Sequence, residues 1–225
     1  HDLPVPSLSA GRNPTGLFIP VARVTDMLEK PGETCEYNGK RITYPDTRLI
    51  YWAGGNPFHH HQDLNRLLRA WARAETIVVH EPWWTALARH ADIVLPATTT
   101  LERNDIAASS RDRFVMAMKQ AIAPQGQARN DVAIFADIAD ALGVRERYTE
   151  QRDEGAWLRH LYDTARAGWT AAGVETPDFD GFWDAGYLEF TPPDRPFVLF
   201  EGFRADPYAE PLNTPSGKVE LYSET

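Results

Sequence analysis

Between residues 48 and 96 the chain alternates three short apolar runs with stretches of helical periodicity, and this alternation constrains the fold more than any other feature. Arg48-Leu49-Ile50-Tyr51-Trp52 has the length and apolar content of a buried strand. A Gly-Gly-Asn-Pro turn follows at 54–57, and residues 63–74 then place Leu64, Leu67, Leu68 and Trp71 at helical spacing. Thr76-Ile77-Val78-Val79-His80 is a second strand, residues 85–90 read as a short helix, and Asp92-Ile93-Val94-Leu95-Pro96 is a third strand ending at a proline. Strands separated by helices join by crossovers, which lay them parallel. The reading is therefore α/β: a Rossmann-like, doubly wound parallel sheet flanked by helices, with extended proline-rich terminal segments.

The flanks are read more coarsely. Pro4, Pro6, Gly11, Pro14, Gly16 and Pro20 make the first twenty residues extended and turn-rich. Residues 114–118 read as a further strand, and residues 131–142 as an amphipathic helix carrying Ile134, Ile138, Ala141 and Leu142, capped at Asn130 or Asp131 and stopped by Gly143. A long helix is expected over 154–172 and a short aromatic one over 179–183. Proline-rich extended chain follows from Pro192, and 214–222 reads as a turn feeding a strand. The organisation expected is an extended lead-in over 1–47, a dinucleotide-binding core over 48–145, and a helical segment over 146–225 that connects toward a further C-terminal domain. Both ends read as cut from something larger.

Charge and cysteine content exclude several classes. A formal net charge of -9 argues against a general electrostatic grip on nucleic acid or an anionic membrane, so any phosphate must be held locally. The single cysteine, Cys35, allows neither an intrachain disulfide nor a multi-cysteine metal cluster from this chain alone. No apolar run reaches the roughly 20 residues that span a bilayer, and the first residues lack the basic and apolar regions of a secretion signal.

Ligands of open parallel sheets sit at the carboxyl ends of the strands. Gly54 and Gly55 leave the backbone open to a phosphate or ribose, and Asn56 and Pro57 complete a turn that reads equally as a binding turn or a plain chain reversal. His80 and Glu81 end the second strand, where an acidic residue often meets a ribose; the alternative is a helix cap beside a solvated carboxylate. The run His59-His60-His61 invites a metal reading, but consecutive histidines point in different directions and no Asp, Glu or Cys at ligand spacing completes a sphere, so one of them, His59, is assigned to the turn's ligand and no metal site is assigned. After the third strand, Thr98 opens a polar segment in which Arg103 either clamps a phosphate or pairs with Glu102 or Asp105. Asp131 serves equally as a cap or as an acceptor for the two adjacent N–H donors of a guanine edge. There is no nucleophile elbow or P-loop, and Cys35 has no visible base partner; no catalytic residue is assigned.

Together, Tyr51-Trp52-Ala53-Gly54-Gly55-Asn56-Pro57-Phe58-His59-His60-His61, Val79-His80-Glu81, Arg89-His90-Ala91-Asp92-Ile93-Val94-Leu95-Pro96-Ala97-Thr98-Thr99-Thr100, Glu102-Arg103-Asn104-Asp105 and Ala128-Arg129-Asn130-Asp131 resemble the dimethyl sulfoxide reductase family of molybdopterin enzymes, and most closely its S- and N-oxide reductase branch. The likeness continues through residues 179–183 and 214–220. It implies a molybdenum bis(molybdopterin guanine dinucleotide) cofactor, oxygen-atom transfer, electrons delivered by a donor, and contacts to the guanine dinucleotide from Gly55, Asn56, His80, Glu81, Arg103 and Asp131, with His59, Trp83 and Thr98 beside them. It also implies that the serine ligand to molybdenum lies upstream, that a domain covering the other face of the cofactor follows, and that this piece alone is inactive. Residues 104–114 look more like the biotin sulfoxide reductases, which implies a cytoplasmic parent acting on biotin or methionine sulfoxide; a periplasmic dimethyl sulfoxide or trimethylamine N-oxide reductase is the rival. A stand-alone guanine-nucleotide module is the alternative from a different class. A nicotinamide-dependent dehydrogenase is disfavoured, because the first turn is not G-x-G-x-x-G.

Overall fold

The structure, a computed structural model, describes residues 3–8, 11–37, 39–110, 112–191, 195 and 198–222. His1 and Asp2, Arg111 and the prolines at 192 and 193 lie outside the described residues. In chain order the elements are α1 (Val24–Glu29), β1 (Thr34–Tyr37), β2 (Lys40–Thr43), β3 (Leu49–Ala53), α2 (Pro57–His60), α3 (Leu64–Trp71), β4 (Thr76–Glu81), β5 (Ile93–Pro96), β6 (Asp105–Ala108) and β7 (Phe114–Met118). There follow α4 (Asp131–Ala141), α5 (Arg145–Thr149), α6 (Glu154–Ala171), α7 (Phe179–Ala185), β8 (Tyr187–Glu189) and α8 (Glu201–Ala205).

The three apolar runs form one parallel sheet in the order β3-β4-β5, with Ala53 beside His80 and Glu81 beside Pro96 at its carboxyl edge. Because strand side chains alternate, one face presents Ile50, Ile77 and Val79. That face packs on Leu28 of α1, on Phe58, on Leu67 and Trp71 of α3, and on Leu87. Burying a side chain such as Leu67 contributes about 1.5–3 kcal/mol, so this layer accounts for much of the first core. Asp63 caps α3, its carboxylate accepting the Arg66 N–H at 2.9 Å. Arg66 in turn pairs with Glu29 at 2.7 Å and with Asp26, tying α3 to α1. Leu64 and Leu68, read as part of the apolar stripe, are exposed instead.

A second sheet is antiparallel, in the order β6-β7-β8. Residues 114–118 are a strand, as the sequence implies, but their partners are β6 and β8 and not the parallel run. Behind this sheet lies an aromatic core of Val115, Tyr162, Trp169, Phe179, Phe182 and Phe190, with Tyr162 stacked on Phe182 at 4.6 Å. The N-terminal segment crosses α6 here. The Trp169 indole donates to the Pro4 carbonyl at 2.6 Å, and a Cβ at Gly168 would lie 2.5 Å from the Pro4 ring, so only glycine admits this crossing.

The terminal segments are less extended than the sequence implies. Residues 1–47 contain α1 and the β1-β2 hairpin, both too short to give a clear period, and α8 lies in the stretch read as extended after Pro192. The helix expected over 85–90 is a single 3-10 turn at Ala88–His90. The turn at 214–217 forms, with Gly217 N–H donating to the Thr214 carbonyl at 2.9 Å, but no strand follows it among the described residues. Among the described residues no helix is long and apolar enough to cross a membrane.

Candidate functional site

The carboxyl ends of β3, β4 and β5 open onto one cleft of about 620 Å³, within the range of small-molecule sites. Its walls come from the loops that leave these strands: Gly54, Gly55, Asn56, His59 and His60 after β3; His80, Glu81, Pro82, Trp83 and Thr85 at and after β4; Ala97 to Thr100 after β5. Arg103 and Asp131 close the rim. Among the site residues read from the sequence, Pro57 alone stays out of the cleft. It is fully buried at the first position of α2, beneath the turn it was grouped with.

The glycine turn has the geometry a close ligand needs. Gly54 and Gly55 have φ of +82° and +72°, a region that penalises side chains, yet a Cβ at either would meet nothing in this chain. Backbone conformation requires glycine there, and the space above it is open. Asn56 faces both ways: its side-chain oxygen accepts the Phe58 N–H at 3.0 Å, capping α2, and the residue still lines the cleft.

His80 is enclosed. Its Nδ1 lies 2.6 Å from Asp131 Oδ1, its Nε2 lies 2.6 Å from the Tyr51 hydroxyl, and its ring stacks on Phe135 at 4.7 Å. Burial, with the nearby Asp131 charge adding to it, pushes the Tyr51 hydroxyl above its ordinary pKa. Both imidazole nitrogens are occupied within the chain, so what reaches the cleft is the Asp131 carboxylate, 45% exposed against 2% for the His80 side chain. Asp131 is the first residue of α4 but not its cap: the cap is Asn130, whose side-chain oxygen accepts the Val132 N–H at 3.1 Å. The alternative left open by the sequence thus resolves toward Asn130, leaving Asp131 free to face a ligand.

Arg103 donates to the Thr98 carbonyl at 2.8 Å and to Asp105 at 3.2 Å. Its neighbour Glu102 turns away, accepting the Thr99 N–H and hydroxyl and the Gln125 N–H. Those donors hold the Glu102 carboxyl below its ordinary pKa, the Thr99 N–H most strongly. Glu81 is buried and accepts the Thr85 hydroxyl at 2.8 Å. Thr98 is the exception to this saturation. Its residue is buried, it lines the cleft, and its hydroxyl has no hydrogen-bond partner. Such a group is costly unless a ligand or water satisfies it.

His59 and His60 line the cleft, whereas His61 lies away from it with an unpartnered Nε2, and burial lowers its pKa. Among the described residues no group of three or more His, Cys, Asp and Glu side chains is placed to hold a metal ion. Sequence reasoning missed Tyr51 and Phe135. The first looked like one more apolar residue of a strand and the second like helix core; the available signal was that Tyr51 falls on the opposite sheet face from Ile50.

The chain matches the sequence profile of the molybdopterin oxidoreductases over residues 20–141. It is 50% identical to a biotin sulfoxide reductase of Cereibacter sphaeroides, over 98% of this chain and 30% of that protein. To a dimethyl sulfoxide/trimethylamine N-oxide reductase of Rhodobacter capsulatus it is 49% identical, over 92% of this chain and 25% of the relative. To a trimethylamine-N-oxide reductase of Haemophilus influenzae it is 46% identical, over 91% and 26%. The chain therefore spans between a quarter and a third of the length of these relatives.

Proposed function

The chain belongs to the molybdopterin oxidoreductase family, and on that premise we propose that its cleft holds the guanine-nucleotide end of a molybdenum bis(molybdopterin guanine dinucleotide) cofactor in an S- or N-oxide reductase. The observation that carries this reading is the convergence of an open glycine turn, an unsatisfied Thr98 hydroxyl and an outward Asp131 carboxylate on one cleft at the strand ends. The residues fit the group. The Gly54 and Gly55 backbone admits a phosphate or ribose, the Thr98 hydroxyl donates to a phosphate or ribose oxygen, and Asp131 accepts the ring N–H and exocyclic amine of guanine. Arg103, already paired with Asp105, adds positive charge at the rim without being free to form a bidentate clamp. Glu81, His59 and Trp83 border the same space.

When bound, the cofactor would supply oxygen-atom transfer, with electrons from a donor protein. This chain's contribution is to hold and orient the nucleotide end and to shield it from water. The remaining domains of the parent enzyme and the electron donor are the partners this reading requires. For the substrate we propose biotin or methionine sulfoxide; the alignment with the biotin sulfoxide reductase over 98% of the chain, against 92% for the dimethyl sulfoxide/trimethylamine N-oxide enzyme, supports it.

The test is elemental and nucleotide analysis of the full-length parent enzyme expressed in a molybdenum-replete host, with sulfoxide-reduction assays beside it. Molybdenum with two equivalents of GMP released on acid hydrolysis is the expected result. Protein that carries neither molybdenum nor guanine nucleotide, and that does not discriminate GMP from AMP by calorimetry, would remove the reading.

A further inference from the structure

Asn56 and Glu81 are each held by one neighbour, but Asp131 stands at the end of a chain of three side chains reaching across the sheet. Tyr51 comes from β3, His80 from β4 and Asp131 from the start of α4. Tyr51 and His80 lie on the same sheet face, because Tyr51 pairs with Val78 and Ala53 with His80 in the parallel register. Phe135, one turn along α4 from Asp131, covers both rings, at 5.7 Å from Tyr51 and 4.7 Å from His80. A carboxylate only accepts, so Nδ1 carries the proton toward Asp131. In the neutral imidazole Nε2 is then the acceptor, and the Tyr51 O–H donates to it.

This arrangement fixes Asp131 in two ways. One carboxylate oxygen takes the Nδ1–H, which sets the side-chain rotamer, and the other oxygen is left for a ligand. Each oxygen has two lone pairs, so Oδ1 still accepts a second donor. A ligand edge with two adjacent N–H groups meets both oxygens, whereas an edge with one N–H meets only one.

We infer that Tyr51 and His80 are positioning residues that orient the Asp131 carboxylate to distinguish a guanine edge from a base lacking the exocyclic amine. The inference rests on the guanine-nucleotide reading given above. Neither side chain touches the base; they act through Asp131, and Phe135 keeps the two rings in line.

Calorimetry of GMP against IMP, which lacks the 2-amine, measures this selectivity directly. Tyr51→Phe removes only the hydroxyl and keeps the ring against Phe135. It is expected to lower the GMP preference about fivefold, the loss of one hydrogen bond, and to move the His80 Nε2 resonance in ¹⁵N spectra of the free protein. A second pair of variants separates positioning from mere packing. His80→Asn keeps an amide N–H near the position of Nδ1 and retains more of the preference than His80→Gln, whose amide reaches toward Tyr51 instead. An unchanged preference in Tyr51→Phe, or equal losses in the two His80 variants, overturns the positioning role while leaving the guanine reading intact. A wild-type protein that binds GMP and IMP equally overturns both.

Discussion

The parallel and antiparallel sheets of this chain each border a hollow, and the two hollows differ in kind. At the parallel sheet the cleft gathers glycine backbone, histidines, threonines, Arg103 and Asp131. At the antiparallel sheet the hollow is lined by Ala107, Phe114, Met116, Ala117, Met118, Gly186 and Tyr187, which offer apolar surface and few polar side chains. Strand direction explains the difference. In β3, β4 and β5 every carboxyl end lies on the same edge, so three successive loops must meet there. In β6, β7 and β8 the ends alternate, so the loops part and only the side chains of one face remain together. The aromatic core behind the antiparallel sheet is accordingly read as support for the chain, and the cleft as its chemistry.

That division is broken most severely through the aromatic core. Phe182 is fully buried and stacked on Tyr162, so Phe182→Ala is expected to destabilise the protein by about 3–5 kcal/mol in urea unfolding. Under conditions where the variant stays folded, its GMP affinity should match the wild type. A parallel fall in affinity would show that the two regions do not divide the work as described.

Within the cleft the largest effect is expected at Asp131. Asp131→Asn keeps an acceptor for the His80 Nδ1–H but replaces one carboxylate oxygen with a donor, opposing the N–H edge of guanine. A charged hydrogen bond contributes about 1.5–3 kcal/mol, so calorimetry should show GMP binding weakened about 10- to 100-fold, with AMP binding little changed. Equal weakening of both nucleotides would place Asp131 at the phosphate or ribose and not at the base.

A smaller effect separates backbone conformation from ligand contact. Gly55→Ala puts a side chain at φ +72°, at a cost of about 1–2 kcal/mol seen in thermal unfolding. Because its Cβ would meet no atom of this chain, any further loss of nucleotide affinity in the folded protein comes from the ligand itself. Affinity that is unchanged once stability is accounted for would return the turn to a plain chain reversal.

The same contrast explains what the sequence made legible. The parallel sheet could be read because its strands are contiguous apolar runs, the first two separated by a periodic helix, and the rule that ligands sit at strand ends singled out Gly55, His80 and Thr98 as candidates; Asp131, at a helix start, read equally as a cap, and only the family resemblance favoured it as a ligand contact. The antiparallel sheet could not, because β6 and β8 are four and three residues long and β8 pairs with β7 across the stretch of chain from Phe114 to Glu189, a separation that no local period reports. Side-chain direction was the other limit. Pro57 belongs to the right turn yet points into the core, and Arg103 stands at the rim yet is occupied by Asp105 and the Thr98 carbonyl. Whether Asn130 or Asp131 caps α4 was undecidable from composition, since either side chain serves; the hydrogen bond to Val132 decides it.

The smallest expected effect concerns what holds the cleft's rim to the rest of the molecule. The loop after β5 is tied to the segment leading into α4 by backbone pairing of Thr98 and Pro96 with Arg129, and by Glu102, which accepts from Thr99 and Gln125 at 2.7 Å each. These donors favour the charged carboxylate and hold its folded-state pKa below the ordinary value of 4.5. Its stabilisation is therefore complete above about pH 4.5 and is lost as the pH falls through the lower, folded-state value. Glu102→Gln, which cannot ionise, should be less stable than the wild type near neutrality, and the two urea midpoints should converge as the pH falls below the ordinary glutamate value. Midpoints that stay a constant distance apart across this range would mean that Glu102 acts through its shape and not its charge. The rim would then owe its position to the backbone pairing alone.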